Sequence, residues 1–343
     1  MIMGWILFRT ENLNHVEGIF NASITRKIGT SHDFLRSDKG KDVLYKLESI
    51  LSKEGPKNFL RQLSVWMNED PEISAFCHPI AHSIGRNALV NLGFEASLED
   101  MLGKKDARIL RTCNAAYMHG IIEQYIEKQN NLLDAASFIQ TNLCDTFPKP
   151  HDQTVASNKA ECEHGIGHGI FHHIRTQHDS KTILEALSTC GNATTDTRSC
   201  QNGVWMDYFA STRISTITLK PESLHVCDSL SYNTVNTWDC LIYAPTEYLL
   251  HNPGDYAGAI QFCSAGLDQP ETCILGVGSQ AGKENMLNFL IVENACLSAN
   301  TPYQERCFKS ALEYYAMSTG IHSIPPSLCK NLNYFRRVCL NYA

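Results

Sequence analysis

The chain has 343 residues, of which 43% are hydrophobic and 19% charged, and a formal net charge of -7. Those proportions are the ones of a folded globular protein. The negative balance argues against a nucleic-acid partner, since Lys and Arg are scattered with no basic run and no basic–aromatic interleaving. No stretch approaches the ~18 consecutive apolar residues of a membrane-crossing helix.

Residues 1 to about 40 are mixed and polar and read as an irregular lead-in. Met1 to Phe8 (MIMGWILF) is apolar but short, with no preceding basic residue and no clear small-residue cleavage site. It is consistent with the remnant of a signal peptide or anchor, without settling the compartment. Asn21-Ala22-Ser23 and Asn192-Ala193-Thr194 fit glycosylation sequons, a tripeptide common by chance. Lys41 to Lys53 places Val43, Leu44, Leu47, Ile50 and Leu51 on one face, an amphipathic helix ended by Gly55-Pro56. Lys57 to Met67 reads as a second helix, with Phe59, Leu60, Leu63 and Trp66 inward. Asp70-Pro71 then offers an N-cap followed by Pro at the first helical position. The helix it starts carries Cys77, His78 and His82.

From there the chain repeats itself. Its 14 cysteines fall into a series: Cys144 with Cys162, Cys190 with Cys200, Cys227 with Cys240, Cys263 with Cys273, Cys296 with Cys307 and Cys329 with Cys339. Cys77 and Cys113 are left as a wider seventh couple. C-x2-4-C zinc spacing is absent, so the pairing points to disulfides and an oxidising compartment. The second cysteines of successive units recur at intervals of 32 to 49 residues. Each unit has a helical stretch ending in a Cys, such as Thr182 to Cys190 or Tyr256 to Cys263, then a short loop and a helix opening with the other Cys. Gly165, Gly203 and Gly276 follow that second Cys by three places, where small residues let two helices approach. No strand-like alternation occurs. The expected fold is all-α: helical-hairpin repeats, as a solenoid or an α/α toroid, stapled by disulfides. Each staple closes a short loop and is worth roughly 2–4 kcal/mol. The expected organisation is a lead-in over 1–40 and a single helical repeat domain over 41–343.

The candidate chemistry lies in Cys162-Glu163-His164-Gly165-Ile166-Gly167-His168-Gly169-Ile170-Phe171-His172-His173. On a helix, His164, His168 and His172 share one face, a turn apart. Neutral imidazole is the commonest protein metal ligand. Two segments echo the pattern: His78 and His82 after Cys77, and His119 and Glu123 after Cys113. An isolated His pair at i, i+4 is ordinarily surface or satisfied core. Two such pairs plus H-x3-E, each anchored at a repeat cysteine, reverse that reading. With the units superposed on the helix-opening Cys, position +6 is His119, His168, Met206, Thr246, Ser279 and Glu313. Position +10 is Glu123, His172, Ala210, Leu250, Lys283 and Met317. Histidines confined to the early units argue for one site rather than a packing requirement of the repeat.

The expected metal ligands are His78, His82, His119, Glu123, His164, His168 and His172, enough for one or two transition-metal ions. Mixed imidazole and carboxylate favours zinc, iron, manganese or copper over calcium or magnesium. Candidate catalytic acids are Glu123, the natural general base, and Asp207 and Glu247, which share position +7 in adjacent units. As single acids on helices, the last two are more commonly solvated or ion-paired. Arg86, a turn beyond His82, reads as a salt-bridge partner before an anion-holding group. His172-His173 reads also as a cap of its helix end near Arg175, and Trp205, Trp238, Tyr243 and Tyr248 read as core. Gly276 to Lys283 lacks the strand and residue order of a phosphate loop. No G-x-S-x-G, H-E-x-x-H or C-x-x-C-H occurs.

The C-x-H-G-x-G-H-G run, with the upstream C-H-x3-H-x-I-G and C-x5-H-G-x2-E segments, resembles an uncharacterised bacterial and archaeal family of Cys-rich, His-Gly-rich helical-repeat proteins. The resemblance covers most of residues 70 to 250 and brings no activity with it. The His-Gly content is also similar to lanthionine-cyclase-like α/α toroids, which hold zinc with Cys, Cys and His; the regular Cys pairing here departs from that pattern. The His clusters resemble the histidine boxes of di-iron oxygenases, which are membrane-embedded, whereas no span occurs here. The expected function is that of an extracytoplasmic, periplasmic or secreted, metal-binding protein. As an enzyme it would be a hydrolase or oxidoreductase, with a His-rich site able to hold two ions and a small-molecule or peptide substrate. The alternative is a non-catalytic helical-repeat scaffold that binds a protein partner.

Overall fold

The computed structural model describes residues 31–98, 109–147, 158–177, 182–211, 227, 234–265, 269–319 and 323–343. Met1 to Phe8 and the Asn21 sequon lie outside them. Among the described residues the regular structure is helical throughout, with no strand. The helices are α1 (Ser31–Arg36), α2 (Asp38–Glu69), α3 (Pro71–Ala75), α4 (Cys77–Leu92), α5 (Phe94–Ser97), α6 (Ala116–Glu127), α7 (Leu132–Asn142), α8 (Asn158–Gln177) and α9 (Thr182–Ala193). They continue with α10 (Thr197–Ser211), α11 (Thr234–His251), α12 (Tyr256–Ser264), α13 (Pro270–Glu284), α14 (Phe289–Leu297), α15 (Thr301–Thr319), α16 (Pro326–Cys329) and α17 (Arg336–Leu340).

Among the described residues helix is present from Ser31 and α2 opens at Asp38, ahead of the Lys41 start read from the apolar spacing. The expected break is where it was placed: Gly55 takes φ 82° and ψ 173° inside the α2 run. A positive φ is easy for glycine, and Pro56 tolerates the first turn of the segment that follows. On either side Val43, Leu47 and Leu51, then Phe59, Leu60 and Leu63, are buried as the periodicity requires. Asp70 caps as expected, accepting from the amides of Glu72 at 2.9 Å and Ile73 at 3.2 Å. The helix it caps ends at Ala75, however, and Cys77 opens a separate helix after the kink at Phe76.

Six disulfides join Cys144–Cys162, Cys190–Cys200, Cys227–Cys240, Cys263–Cys273, Cys296–Cys307 and Cys329–Cys339, as the spacing required. Such bonds fit an oxidising, extracytoplasmic environment. The seventh couple is not bonded: Cys77 and Cys113 are buried thiols. The two thiols are neighbours, close enough to hydrogen-bond, but the couple is placed differently from the other six. In the hairpins whose two arms are described, one Cys ends an arm and the other lies near the start of the next helix. Cys77 and Cys113 instead stand at the heads of two neighbouring helices, α4 and α6. The Cys113 thiol donates to Met67 Sδ at 3.3 Å.

One helix of each repeat packs on its counterpart in the next, giving the succession α4, α6, α8, α10, α11, α13, α15, with α7, α9, α12 and α14 outside it. Glycines set the inner spacing. A Cβ on Gly85 would overlap the carbonyl of Tyr117 on α6, and one on Gly120 would overlap the carbonyl of His82 on α4. Gly167 against Cys200, and Gly203 against His164, do the same between α8 and α10. Backbones meet here with nothing between them. The succession also returns on itself. Helix α15 packs on the turn at Ile109–Arg111, α13 packs on α3, and Ser318 O accepts the Cys113 amide at 2.9 Å. Of the two expected architectures the closed ring, a toroid, is the one adopted.

Candidate functional site

The His-bearing faces of α4, α6 and α8 meet on the inner side of the ring. His78, His119, His164 and His168 are buried, with His119 fully so. Ring centroids stand 5.0 Å apart for His119–His164, 5.4 Å for His119–His168 and 5.9 Å for His78–His119. A ligand nitrogen from each of His78, His119 and His168 lies within 4.8 Å of the other two, a buried group that could hold a metal ion. His164 adjoins it, its Nε2 3.0 Å from His168 Nε2. The glycines beside these histidines explain the His-Gly pairs of the sequence: they bring the helices close enough for single imidazoles from three of them to converge.

Backbone carbonyls select the tautomers. His78 Nδ1 donates to Cys113 O at 2.9 Å, leaving Nε2 with its lone pair. His119 Nε2 donates to Glu161 O at 3.0 Å, and its Nδ1, buried, meets no hydrogen-bond partner among the described residues. An outer carbonyl that fixes one ring nitrogen as donor is the usual arrangement around a metal-binding histidine. The Cys113 carbonyl is held in place at some cost. Cys113, Asn114 and Ala115 take φ of 58°, 59° and 56°, a left-handed run that non-glycine residues rarely adopt. Strain of this kind is characteristic of functional sites.

Burial favours the neutral form of four of these imidazoles, His78, His82, His164 and His168. It pushes His82 down to about 3 and His164 down to about 4, with the neighbouring His119 as the next cause in both. Burial also takes His78 and His168 well below the ordinary imidazole value, followed by the charge of Lys283 for the first and of His164 for the second. Neutral rings with free lone pairs are the form that binds metals.

Glu123, also an expected ligand, lies outside the His78–His119–His168 group. It lies a turn further along α6, against the Arg86 guanidinium, with His82 Nε2 at 3.1 Å and His172 Nδ1 at 3.4 Å. Arg86 also reaches Glu127, and His172 Nε2 lies 3.6 Å from the same carboxylate. Burial pushes the Glu123 carboxyl up, against the opposing pull of Arg86 and His172. His82 and His172 thus belong to this charged layer, beside the three-imidazole group. Arg175 contacts His172 Nδ1 at 3.1 Å, in keeping with the expected helix-end pairing.

The group opens on a cavity of about 360 Å³ lined by His78, His82, Arg86 and His168, and on other inner helices by Met206, Asp207, Thr246, Leu250 and Lys283. The lining explains the repeat register: His168, Met206 and Thr246 stand at +6, Leu250 and Lys283 at +10. Asp207 lines this cavity. Glu247 is buried and is not part of the lining. Lys283 also lines the cavity, and its register, shared with Glu123 and His172, is the signal for it in the sequence. Trp205 is core, whereas Trp238 is 37% exposed, under the Arg198 guanidinium.

Fold and site together define a disulfide-stapled α-helical ring with a buried three-histidine group on its inner wall. No protein-family model, curated protein or solved structure matches the chain. No helix among the described residues is long and apolar enough to cross a membrane.

Proposed function

We propose that the chain is an extracytoplasmic metalloenzyme, periplasmic or secreted, in which His78, His119 and His168 hold one transition-metal ion at the wall of the cavity. The observation that carries this reading is the convergence of three buried imidazoles from three helices, with carbonyls selecting the tautomers of two of them. Three protein nitrogens leave one position of a four-coordinate ion for water or substrate. A neutral ligand set leaves the ion its full charge, the condition that most lowers the pKa of bound water. That favours a hydrolase acting on a small or peptidic substrate, with zinc the best-suited ion, over an oxidoreductase built on two histidines and a carboxylate. His164 and His82 are the groups nearest to a second ion. Glu123, engaged by Arg86, acts as a positioning residue for His82 and His172, and Asp207 faces the substrate space.

Elemental analysis of protein expressed with export and oxidative folding tests the reading, beside a His119→Ala/His168→Ala double variant. Roughly one equivalent of zinc, iron, manganese or copper in the parent, absent from the folded variant, is the expected result. Folded parent protein that contains no metal and takes up none when these ions are offered sinks the metalloenzyme and leaves the ring as a binding module.

A further inference from the structure

Lys283 lies on α13, which packs on α3, and it lines the same cavity as His78 and His168. It is close enough to His78 for its charge to be felt there. No carboxylate among the described residues pairs with it. Glu284, its neighbour in sequence, has both oxygens engaged elsewhere: Gln280 Nε2 donates to Oε1 at 2.8 Å, and the Tyr256 hydroxyl donates to Oε2 at 2.5 Å. The other lining cation, Arg86, is taken up by Glu123 and Glu127. Lys283 is therefore the one lining cation, among the described residues, with no carboxylate in ion-pair contact, Glu284 beside it acting only through its charge. An ammonium half-buried in such a wall, where burial works against its charge, is held more cheaply when an anion binds beside it.

What would supply it is set by the rest of the wall. Phe76, Pro79, Leu249, Leu250 and Pro253 make much of the lining apolar. A single ammonium balances one negative charge, and a compact point charge suits a carboxylate without demanding a fork of donors. We propose that Lys283 is a substrate anchor that receives the carboxylate of a small acid with an apolar body, whose other end lies against the His78–His119–His168 group. This rests on the reading of that group as the reacting centre and adds the substrate class: carboxylate-bearing small molecules, of a volume the cavity of about 360 Å³ admits.

Calorimetric titration with benzoate, benzyl alcohol and phenyl phosphate tests the proposal on the full chain, Lys283→Met and Lys283→Arg, with metal content measured on the same samples. Methionine keeps the length and packing of the lysine stem; arginine keeps the charge. The expected result is benzoate binding to the parent, at least ten-fold weaker binding to Lys283→Met, and recovery in Lys283→Arg, at equal metal content. Benzoate affinity unchanged by Lys283→Met overturns the proposal, as does benzyl alcohol binding as tightly as benzoate, or a preference for phenyl phosphate. A parent without metal removes the metalloenzyme reading alone, because the dependence of benzoate binding on Lys283 is then read on the metal-free protein by the same three outcomes.

Discussion

The Nε2 of His119 donates to the carbonyl oxygen of Glu161 at 3.0 Å, and the opposite ring nitrogen is buried with no hydrogen-bond partner among the described residues. An orphaned buried nitrogen is a net cost unless a metal ion takes it up, and this makes the sign of one substitution diagnostic. His119→Phe keeps a ring of similar size and removes the orphan. In metal-free protein it is expected to be neutral or to stabilise by about 1 kcal/mol. In metal-loaded protein it is expected to destabilise, because the ion stabilises only the parent. Thermal melts of both proteins, with and without a chelator, read the two signs.

Gly120 has no room for a side chain beside His82, whereas Gly191 on α9 faces open space. Gly120→Ala must push α4 and α6 apart and is expected to cost about 1–3 kcal/mol, weakening metal uptake as the imidazoles separate. Gly191→Ala is expected to stabilise by about 0.4–1 kcal/mol, through the lower entropy of the unfolded chain. Chemical denaturation of the two variants measures the contrast.

Glu293 closes the far end of the chain. Its buried carboxylate accepts the amides of Asn333 at 3.0 Å, Tyr334 at 2.7 Å and Phe335 at 2.8 Å, holding the segment that leads into α17. Glu293→Gln replaces an acceptor with an amide NH2 facing these donors and is expected to cost about 1.5–3 kcal/mol. Limited proteolysis should show faster cleavage near the C-terminus of the variant.

Asp70 carries a pH dependence. Burial works against its ionisation, but Lys39 and the amides of Ile73 and Glu72 outweigh it, so its folded pKa lies below the ordinary value of 3.8. A depressed carboxylate stabilises the fold above its unfolded pKa and loses that contribution as pH falls through the folded value. Denaturation curves between pH 6 and pH 2 should therefore show a component of acid destabilisation that Asp70→Asn lacks. At neutral pH, Asp70→Ala is expected to cost about 0.5–2 kcal/mol as a lost N-cap.

The two thiols, Cys77 at 2% exposure and Cys113 at 0%, are shielded while the protein is folded. Burial pushes the Cys113 thiol well up, which keeps it protonated and a poor nucleophile. Thiol titration is expected to count two groups in denaturant and essentially none under native conditions. A count of zero in denaturant would mean that Cys77 and Cys113 are joined.

Much of the architecture was determined by the sequence alone. Hydrophobic spacing placed the segments on either side of Gly55, Asp70-Pro71 marked a helix start, and the cysteine periodicity paired all six disulfides. These are local signals, carried by residues within one or two turns, or one hairpin, of each other. His78, His119 and His168 were likewise legible as candidates, because a side chain out of character for its repeat position stands out along the chain. Tertiary structure decided which of the candidate residues meet. It set Glu123 against Arg86, His82 and His172, outside the His78–His119–His168 group, and left Cys77 and Cys113 as thiols. It chose a closed ring over an open solenoid and brought Lys283, a long way along the chain, to face His78. These outcomes depend on which inner helices touch, and that depends on backbone-to-backbone approach at Gly85, Gly120, Gly167 and Gly203 and on the meeting of Ser318 with Cys113. The glycines recur with the repeat, but which helix each one meets leaves no trace in the sequence, because each side satisfies its own helix regardless of the partner.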